Sequence, residues 1–296
     1  MAKFTINDFR KQYATDEACL DKIFTLRYGK LEACPECQCV ASFRRITTRR
    51  CYQCTECYTQ YYPTAGTVFE KTRTPLSDWF YVIYLFTTTR NGVAAKEIQR
   101  QLGVTYKCAF RMGHCIRTLI AGMTQEQLQG FVECDEVRIG GKNKNRHKSK
   151  QFTKEEAWAG KDKVIVFGAI QRGGQVRTKI IEDTFTTTLM DALKEHVVEG
   201  SIVITEELQA YRRIEGTYFH GKVNHGAGEY ARGLIHTNSI EGYWSHVKRM
   251  ISGTHISVSK KYLQNYLDEN SFRYNNRENQ GGMFEAIINH LPVVTE

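Results

Sequence analysis

The chain has 296 residues, 41% hydrophobic and 25% charged, an ordinary globular composition with length enough for two or three domains. No apolar run approaches the ~18 residues of a membrane span, and the opening MAKFTINDFRKQ lacks a signal peptide's apolar stretch, so no membrane association and a reducing, intracellular compartment are expected. A net charge of +9 favours a polyanionic partner, nucleic acid first, because each Lys or Arg set on a phosphate releases a condensed counterion.

Residues 1–30 form an N-terminal helical segment, with a predicted helix over 16–26, Thr15 as its N-cap and Gly29 just past its end. Residues 31–70 are cysteine-rich, with six of the ten cysteines between 34 and 57. In a reducing compartment such crowding points to metal rather than to disulfides. Cys34-Pro35-Glu36-Cys37 and Cys54-Thr55-Glu56-Cys57 are two C-x-x-C knuckles with 16 residues between them, a spacing suited to one structural, tetrahedral Zn2+ in a zinc ribbon. Cys51 and Cys54 also form a C-x-x-C pair and Cys39 is nearby; the matching form of the two knuckles favours Cys54 and Cys57. Arg44, Arg45, Arg49 and Arg50 lie between the knuckles, either as phosphate contacts or as a solvated hairpin.

Residues 71–125 read as a small all-α domain. Leu76, Phe80, Ile83 and Tyr84 share one helical stripe, and Ala95, Ile98 and Leu102 another. Residues 93–120 fit a helix-turn-helix: a first helix ending at Leu102, a turn at Gly103, and a second helix entered through Thr105. Lys107, Arg111 and His114 then form one stripe as candidate DNA-groove contacts, while Ala109, Met112 and Ile116 face the core. The same helical packing also occurs in domains that touch no DNA.

Residues 130–280 change period and read as an α/β catalytic domain. Strands are predicted at 131–139, 164–170 and 175–181, the last two joined by a Gly173-Gly174 turn. A helix over 187–197, a short strand over 201–205 and helices over 238–251 and 259–274 follow. Residues 281–296 read as a C-terminal tail. Glu133 and Asp135 share one face of the first strand, where burial of a carboxylate is unfavourable unless something such as a divalent cation offsets it. Glu206-Glu207 follow the short strand. Glu241 and Lys248 lie two turns apart on one helix face, although Glu241 could instead close a capping box with Asn238. Lys142, Lys144, Arg146, Lys148 and Lys150 make a basic loop directly after the first strand, either a substrate clamp or a solvated charge run.

Together these segments resemble the DDE-class insertion-sequence transposases of bacteria and archaea related to eukaryotic Merlin elements, the IS1595 family. The resemblance is carried by GTVFE at 66–70, VECDEVRIGGK at 132–142, VFGAIQRGG at 166–174, TEELQAY at 205–211, and HTNSIE at 236–241 with Trp244 and Lys248. It implies an RNase H-like, retroviral integrase-like catalytic fold, with Asp135, Glu206 and Glu241 holding two Mg2+ or Mn2+ ions. It also implies Lys248 on transposon-end DNA, double-stranded transposon-end and target DNA as partners, a homodimer or higher oligomer, and a cytoplasmic, nucleoid-associated location. The implied reaction is cleavage at the element end followed by attack of the released 3′-OH on target DNA. The 34 residues between Glu206 and Glu241 suit this class. Glu206, however, stands where the family has its second Asp, and the extra methylene in a site with tight metal–oxygen distances leaves open an inactive DNA-binding regulator. A nuclease of the same fold without strand transfer is the other alternative.

Overall fold

The computed structural model describes residues 4–291 except 41, 124–125, 159–161, 207–209, 212–213, 215, 225, 227 and 230. The chain divides into two units: Met1–Thr89, Val93–Met123 and Glu278–Glu296 make the first, Arg90–Gly92 and Thr124–Arg277 the second.

The first unit opens with α1 (Ile6–Tyr13), a helix not expected from the sequence pattern. It is nucleated by a reciprocal box in which the Thr5 hydroxyl accepts from the Asp8 amide and the Asp8 carboxylate accepts from the Thr5 amide at 2.9 Å. α2 (Asp16–Tyr28) starts at its predicted cap, Thr15, whose Oγ accepts from the Ala18 amide, and stops at Gly29 with φ 66°. β1 (Phe43–Ile46), β2 (Cys51–Cys54) and β3 (Gln60–Tyr61) form a three-stranded antiparallel sheet in the order β1-β2-β3.

α3 (Leu76–Thr88) buries Leu76, Trp79, Phe80 and Ile83 completely. α4 (Ala95–Leu102) ends at Gly103, whose φ of 66° is the left-handed conformation that glycine adopts at least cost. α5 (Tyr106–Ala121) is capped by the Thr105 hydroxyl, which accepts from the Cys108 amide at 3.2 Å. Ala109, Met112 and Ile116 are fully buried, as their spacing predicts.

In the second unit, β4 (Phe131–Ile139) leads through two 3-10 turns to α6 (Lys154–Trp158). Then come β5 (Val164–Gln171), β6 (Val176–Ile181), α7 (Thr186–His196), β7 (Ile202–Thr205), β8 (Phe219–Lys222), the short pair β9 (Ala231–Arg232) and β10 (Ile235–His236), α8 (Asn238–Arg249) and α9 (Leu263–Asn275). The five-stranded sheet has the order β6-β5-β4-β7-β8. β4 pairs antiparallel with β5 and parallel with β7, and β7 pairs parallel with β8.

Alternation along β4 and β5 divides the core between the two faces of this sheet. Val132, Cys134, Phe167 and Ala169 pack with Leu189 and Leu193 of α7. Val137, Val166 and Ile170 pack on the other face with Ile240, Tyr243, Trp244 and Val247 of α8 and Leu263 and Leu267 of α9. The sheet is thereby covered on both sides, which is why β5 is apolar at nearly every position.

The last segment belongs to the first unit. Residues 283–289, expected within a tail, form α10 (Met283–Asn289), because Phe284 finds aromatic partners in Phe4, Phe9, Tyr13 and Phe80 and Glu285 pairs with Lys22 at 2.9 Å.

Candidate active site

Parallel strands present their C-terminal ends on the same side, and β4 and β7 do so with Glu133 opposite Ile204. Asp135 on β4 and Glu206, the residue that follows β7, each lie two residues beyond that pair. α8 crosses the same face of the sheet and carries Glu241 in its first turn. The Asp135 carboxyl is pushed up to about 6, first by burial and next by the negative charge of Glu206, with Glu241 adding to it; the Glu136 backbone amide and the Trp244 indole act in the opposite direction. The acids therefore share one electrostatic neighbourhood. Their oxygens do not all come within 4.8 Å of one another, a distance met among the described residues by the four cysteines alone. Glu207 lies outside the described residues.

Trp244 is the principal side chain against Asp135. Its Nε1 donates to Asp135 Oδ2 at 3.0 Å, and the indole is almost fully buried. The ring occupies space that a side chain on β5 would otherwise fill, above Gly168, which pairs with Asp135 across the ladder. On the opposite face of β4, Glu136 is pushed up to about 7, chiefly by burial, and accepts a hydrogen bond from the Tyr211 hydroxyl, which opposes the shift.

Glu133 has a different fate from Asp135, although both lie on one face of β4. Its side chain is wholly buried and accepts from Arg172 Nε at 2.7 Å, the Ser239 amide at 2.8 Å, the Ser239 hydroxyl at 3.0 Å and the Ile240 amide at 3.1 Å; His236 Nδ1 stands 3.3 Å away. A buried carboxylate costs several kcal/mol in desolvation, offset here by the Arg172 guanidinium and the N-terminus of α8. The alternative, a capping box between Asn238 and Glu241, does not form, because Asn238 is already the first helical residue. The N-cap is Thr237, without a side-chain cap bond, and its hydroxyl donates to Glu241 Oε1 at 3.2 Å. Glu241 thus touches the cap side chain, while the amides of Ser239 and Ile240 go to Glu133.

Glu241, Ser245 and Lys248 form an exposed stripe on α8. A donor set of carboxylate oxygens alone suits a hard divalent cation such as Mg2+ or Mn2+, and the mutual repulsion that raises Asp135 is what such a cation would relieve.

The cysteine site is more tightly gathered. Cys34, Cys37, Cys54 and Cys57 place all four sulfurs within 4.8 Å of one another, with Cys34 to Cys57 at 3.7 Å and Cys37 to Cys54 at 3.9 Å. Tetrahedral thiolates about 2.3 Å from zinc have edges of about 3.8 Å, so the tetrad fits the metal. The two knuckles repeat one backbone design. The amides of Gln38 and Tyr58 bond back to the Cys34 and Cys54 carbonyls, and both residues have positive φ, 59° and 63°. Cys51 is buried and Cys39 exposed, each outside the tetrad.

The basic candidates separate by what holds them. Arg50 donates to Asp16 and to the carbonyls of Thr72 and Thr74, and Arg45 pairs with Glu17, so both serve the first unit's own packing; Arg44 and Arg49 are exposed. Lys107 and Arg111 are exposed on α5, Arg111 lying 5.7 Å over the Trp79 ring, whereas His114 is half-buried against Phe110. In the loop after β4, Asn143 and Phe152 exchange two hydrogen bonds that close its base, and Arg146, though exposed, donates to the Asp162 carbonyl and lies over the Phe152 ring. Lys142, Lys144, Lys148 and Lys150 point outward.

Residues 127–275 match the ISXO2-like transposase domain, and residues 14–60 match the transposase zinc-ribbon domain. A relative from Halobacterium salinarum, described as an uncharacterized protein in transposable element ISH50, is 28% identical over 271 residues, spanning 87% of this chain and 90% of its own. With the zinc-ribbon tetrad and an acid-bearing α/β sheet already in place, these matches establish that the chain belongs to the IS1595 family of insertion-sequence transposases.

Proposed function

We propose that the second unit is an RNase H-like catalytic domain that cuts DNA at the ends of its insertion sequence and joins the released strand to target DNA. The observation that supports this reading is the parallel pairing of β4 and β7, two residues beyond which lie Asp135 and Glu206, together with the charges of Glu206 and Glu241 acting on Asp135. The sheet order, with three antiparallel strands followed by two parallel ones and helices on both faces, supports the fold assignment.

Asp135, Glu206 and Glu241 are the residues that would hold Mg2+ or Mn2+, which supplies activation of the attacking oxygen and stabilisation of the leaving one. Trp244 fixes one oxygen of Asp135 by its indole N–H, which orients the carboxylate toward the open face. Lys248, two turns beyond Glu241 on the exposed stripe, reaches for the phosphates of the element end. α4, the Gly103 turn and α5 form a helix-turn-helix whose Lys107 and Arg111 meet the DNA, with Arg49 on the ribbon as a further contact. Zn2+ in the four-cysteine site holds the ribbon in shape. Pairing of two element ends calls for at least a homodimer, and the DNA substrate places the enzyme on the nucleoid in the cytoplasm.

The test is incubation of the full chain with a labelled element-end duplex and Mg2+ or Mn2+, beside Asp135→Ala and Glu206→Asp. Cleavage with strand transfer that disappears in Asp135→Ala supports the proposal. Binding of DNA without cleavage, unrestored by Glu206→Asp, refutes it in favour of a regulator, and cleavage without joining marks a nuclease.

A further inference from the structure

The three acids stand on three separate elements, so something must hold α8 in register with the sheet to within the tolerance of a cation site. The sheet is internally rigid through its ladder; α8 is not part of that ladder. Beside the apolar packing around Val137, two hydrogen-bonded anchors from β4 hold it. One is the indole of Trp244 on Asp135, in the second turn of the helix. The other, at the helix start, is the buried carboxylate of Glu133, two residues before Asp135 on the same strand face.

We propose that Glu133 is a positioning residue that fixes the first turn of α8, and with it Glu241, opposite Asp135; this rests on the cation-binding role given above to the two acids. The geometry is specific. Oε2 receives the amides of both Ser239 and Ile240, and Oε1 receives the Ser239 hydroxyl and Arg172 Nε. Arg172 extends the clamp by donating its two terminal nitrogens to the carbonyls of Leu234 and His236, the residues that lead into α8. A single carboxylate therefore locates the entry strand through Arg172 and the helix through its own oxygens. Glu241 follows Ile240 directly, so a shift of the clamped turn moves its carboxylate by a similar amount. Ligands held only by their first coordination contacts are poorly preorganised, and loss of an outer partner that orients a ligand lowers metal affinity by about 10–100-fold.

The arrangement separates two acids that the strand pattern makes equivalent. Glu133 and Asp135 point to one face, yet Glu133 is saturated by protein donors while Asp135 is left toward Glu206 and Glu241.

The test uses the full chain and its Glu133→Gln, Arg172→Ala and Ser239→Ala variants, at a temperature where circular dichroism shows each to be folded. Amide hydrogen exchange of Ser239 and Ile240 is read against that of α9, and Mn2+ alone is titrated by calorimetry, with Asp135→Ala as reference. Glu133→Gln should speed exchange of the two amides at least about tenfold without affecting α9 and weaken Mn2+ binding by about 10–100-fold, with Ser239→Ala intermediate. Should Glu133→Gln not fold, Arg172→Ala and Ser239→Ala carry the same comparison. Unchanged exchange at Ser239 and Ile240 overturns the proposal, as does faster exchange with full Mn2+ affinity. Absence of Mn2+ binding by the unaltered chain refutes the cation role of Asp135 instead, and the exchange rates then decide by themselves whether Glu133 fixes α8.

Discussion

Gly168 and Trp244 share one volume: a β-carbon on Gly168 would stand 2.4 Å from Trp244 Cζ2 and 2.5 Å from Cη2. The missing side chain on β5 is what lets the indole lie against the sheet and reach Asp135. Gly168→Ala should therefore displace the indole and cost about 1–3 kcal/mol, as overpacking of a filled core does. Denaturant unfolding measures the loss, and a shifted tryptophan emission would report the displaced ring. A variant as stable as the parent would show that the indole does not need this space.

The zinc site predicts one tightly bound Zn2+ per chain. A strong chelator, or Cys37→Ser, should unfold the ribbon because 31–70 has little apolar core without the metal. Metal analysis and hydrogen exchange across β1–β3 check this. Cys51→Ser, outside the tetrad, should retain full zinc content.

Asp268 on α9 offers a pH prediction away from the acid cluster. Burial lifts its carboxyl from 3.8 to about 6, with the hydrogen bond from Gln264 Nε2 opposing the shift. A carboxyl whose folded value exceeds its unfolded one binds more protons in the folded state. It thus weakens the fold progressively as pH rises from about 4 to about 6, and by a constant amount above that. Asp268→Asn keeps the oxygen that accepts from Gln264 and removes the charge. It should be neutral near pH 3 and stabilising by up to about 2 kcal/mol at pH 8, read from urea midpoints at the two pH values.

The loop after β4 makes an ionic prediction. Lys142, Lys144, Lys148 and Lys150 face outward, while Arg146 is held by Asp162 and Phe152. Changing the four lysines to Gln should reduce the slope of log K against log salt for duplex DNA by up to about 3–4, near 0.9 for each phosphate no longer neutralised. Arg146→Gln should leave the slope alone and loosen the loop. An unaltered slope in the four-lysine variant removes this loop from the DNA surface.

Sequence spacing is sufficient where chemistry is local. The C-x-x-C knuckles, the caps at Thr15 and Thr105 and the buried stripe Ala109, Met112, Ile116 are short-range patterns that folding leaves intact. Alternation likewise places Glu133 and Asp135 on one face. It does not say what each meets there, because the partners of Glu133 lie 39 and 106 residues away. The Asn238 to Glu241 capping box fails because the cap falls one residue earlier, on Thr237, whose hydroxyl bonds to Glu241 instead. α1 escapes a reading by apolar stripes although Thr5 and Asp8 carry the box pattern, and α10 escapes it because Phe284 has meaning only beside Phe4, Phe9 and Tyr13. Gly168 carries a readable signal, a lone glycine inside an apolar strand, which commonly marks a close approach by another group.

The return of α10 to the first unit orders events during synthesis. A chain emerging from the ribosome has made α1 and α3 long before Phe284 exists, so the aromatic cluster between them stays open on that side until α10 is made. The second unit, contiguous from Thr124 to Arg277 apart from Arg90–Gly92, has its whole sheet available earlier. Vectorial folding ordinarily completes the N-terminal part first; here the nested arrangement reverses that order, and a nascent chain truncated just after Arg277 would carry the acid-bearing sheet complete and the amino-terminal helices unfinished.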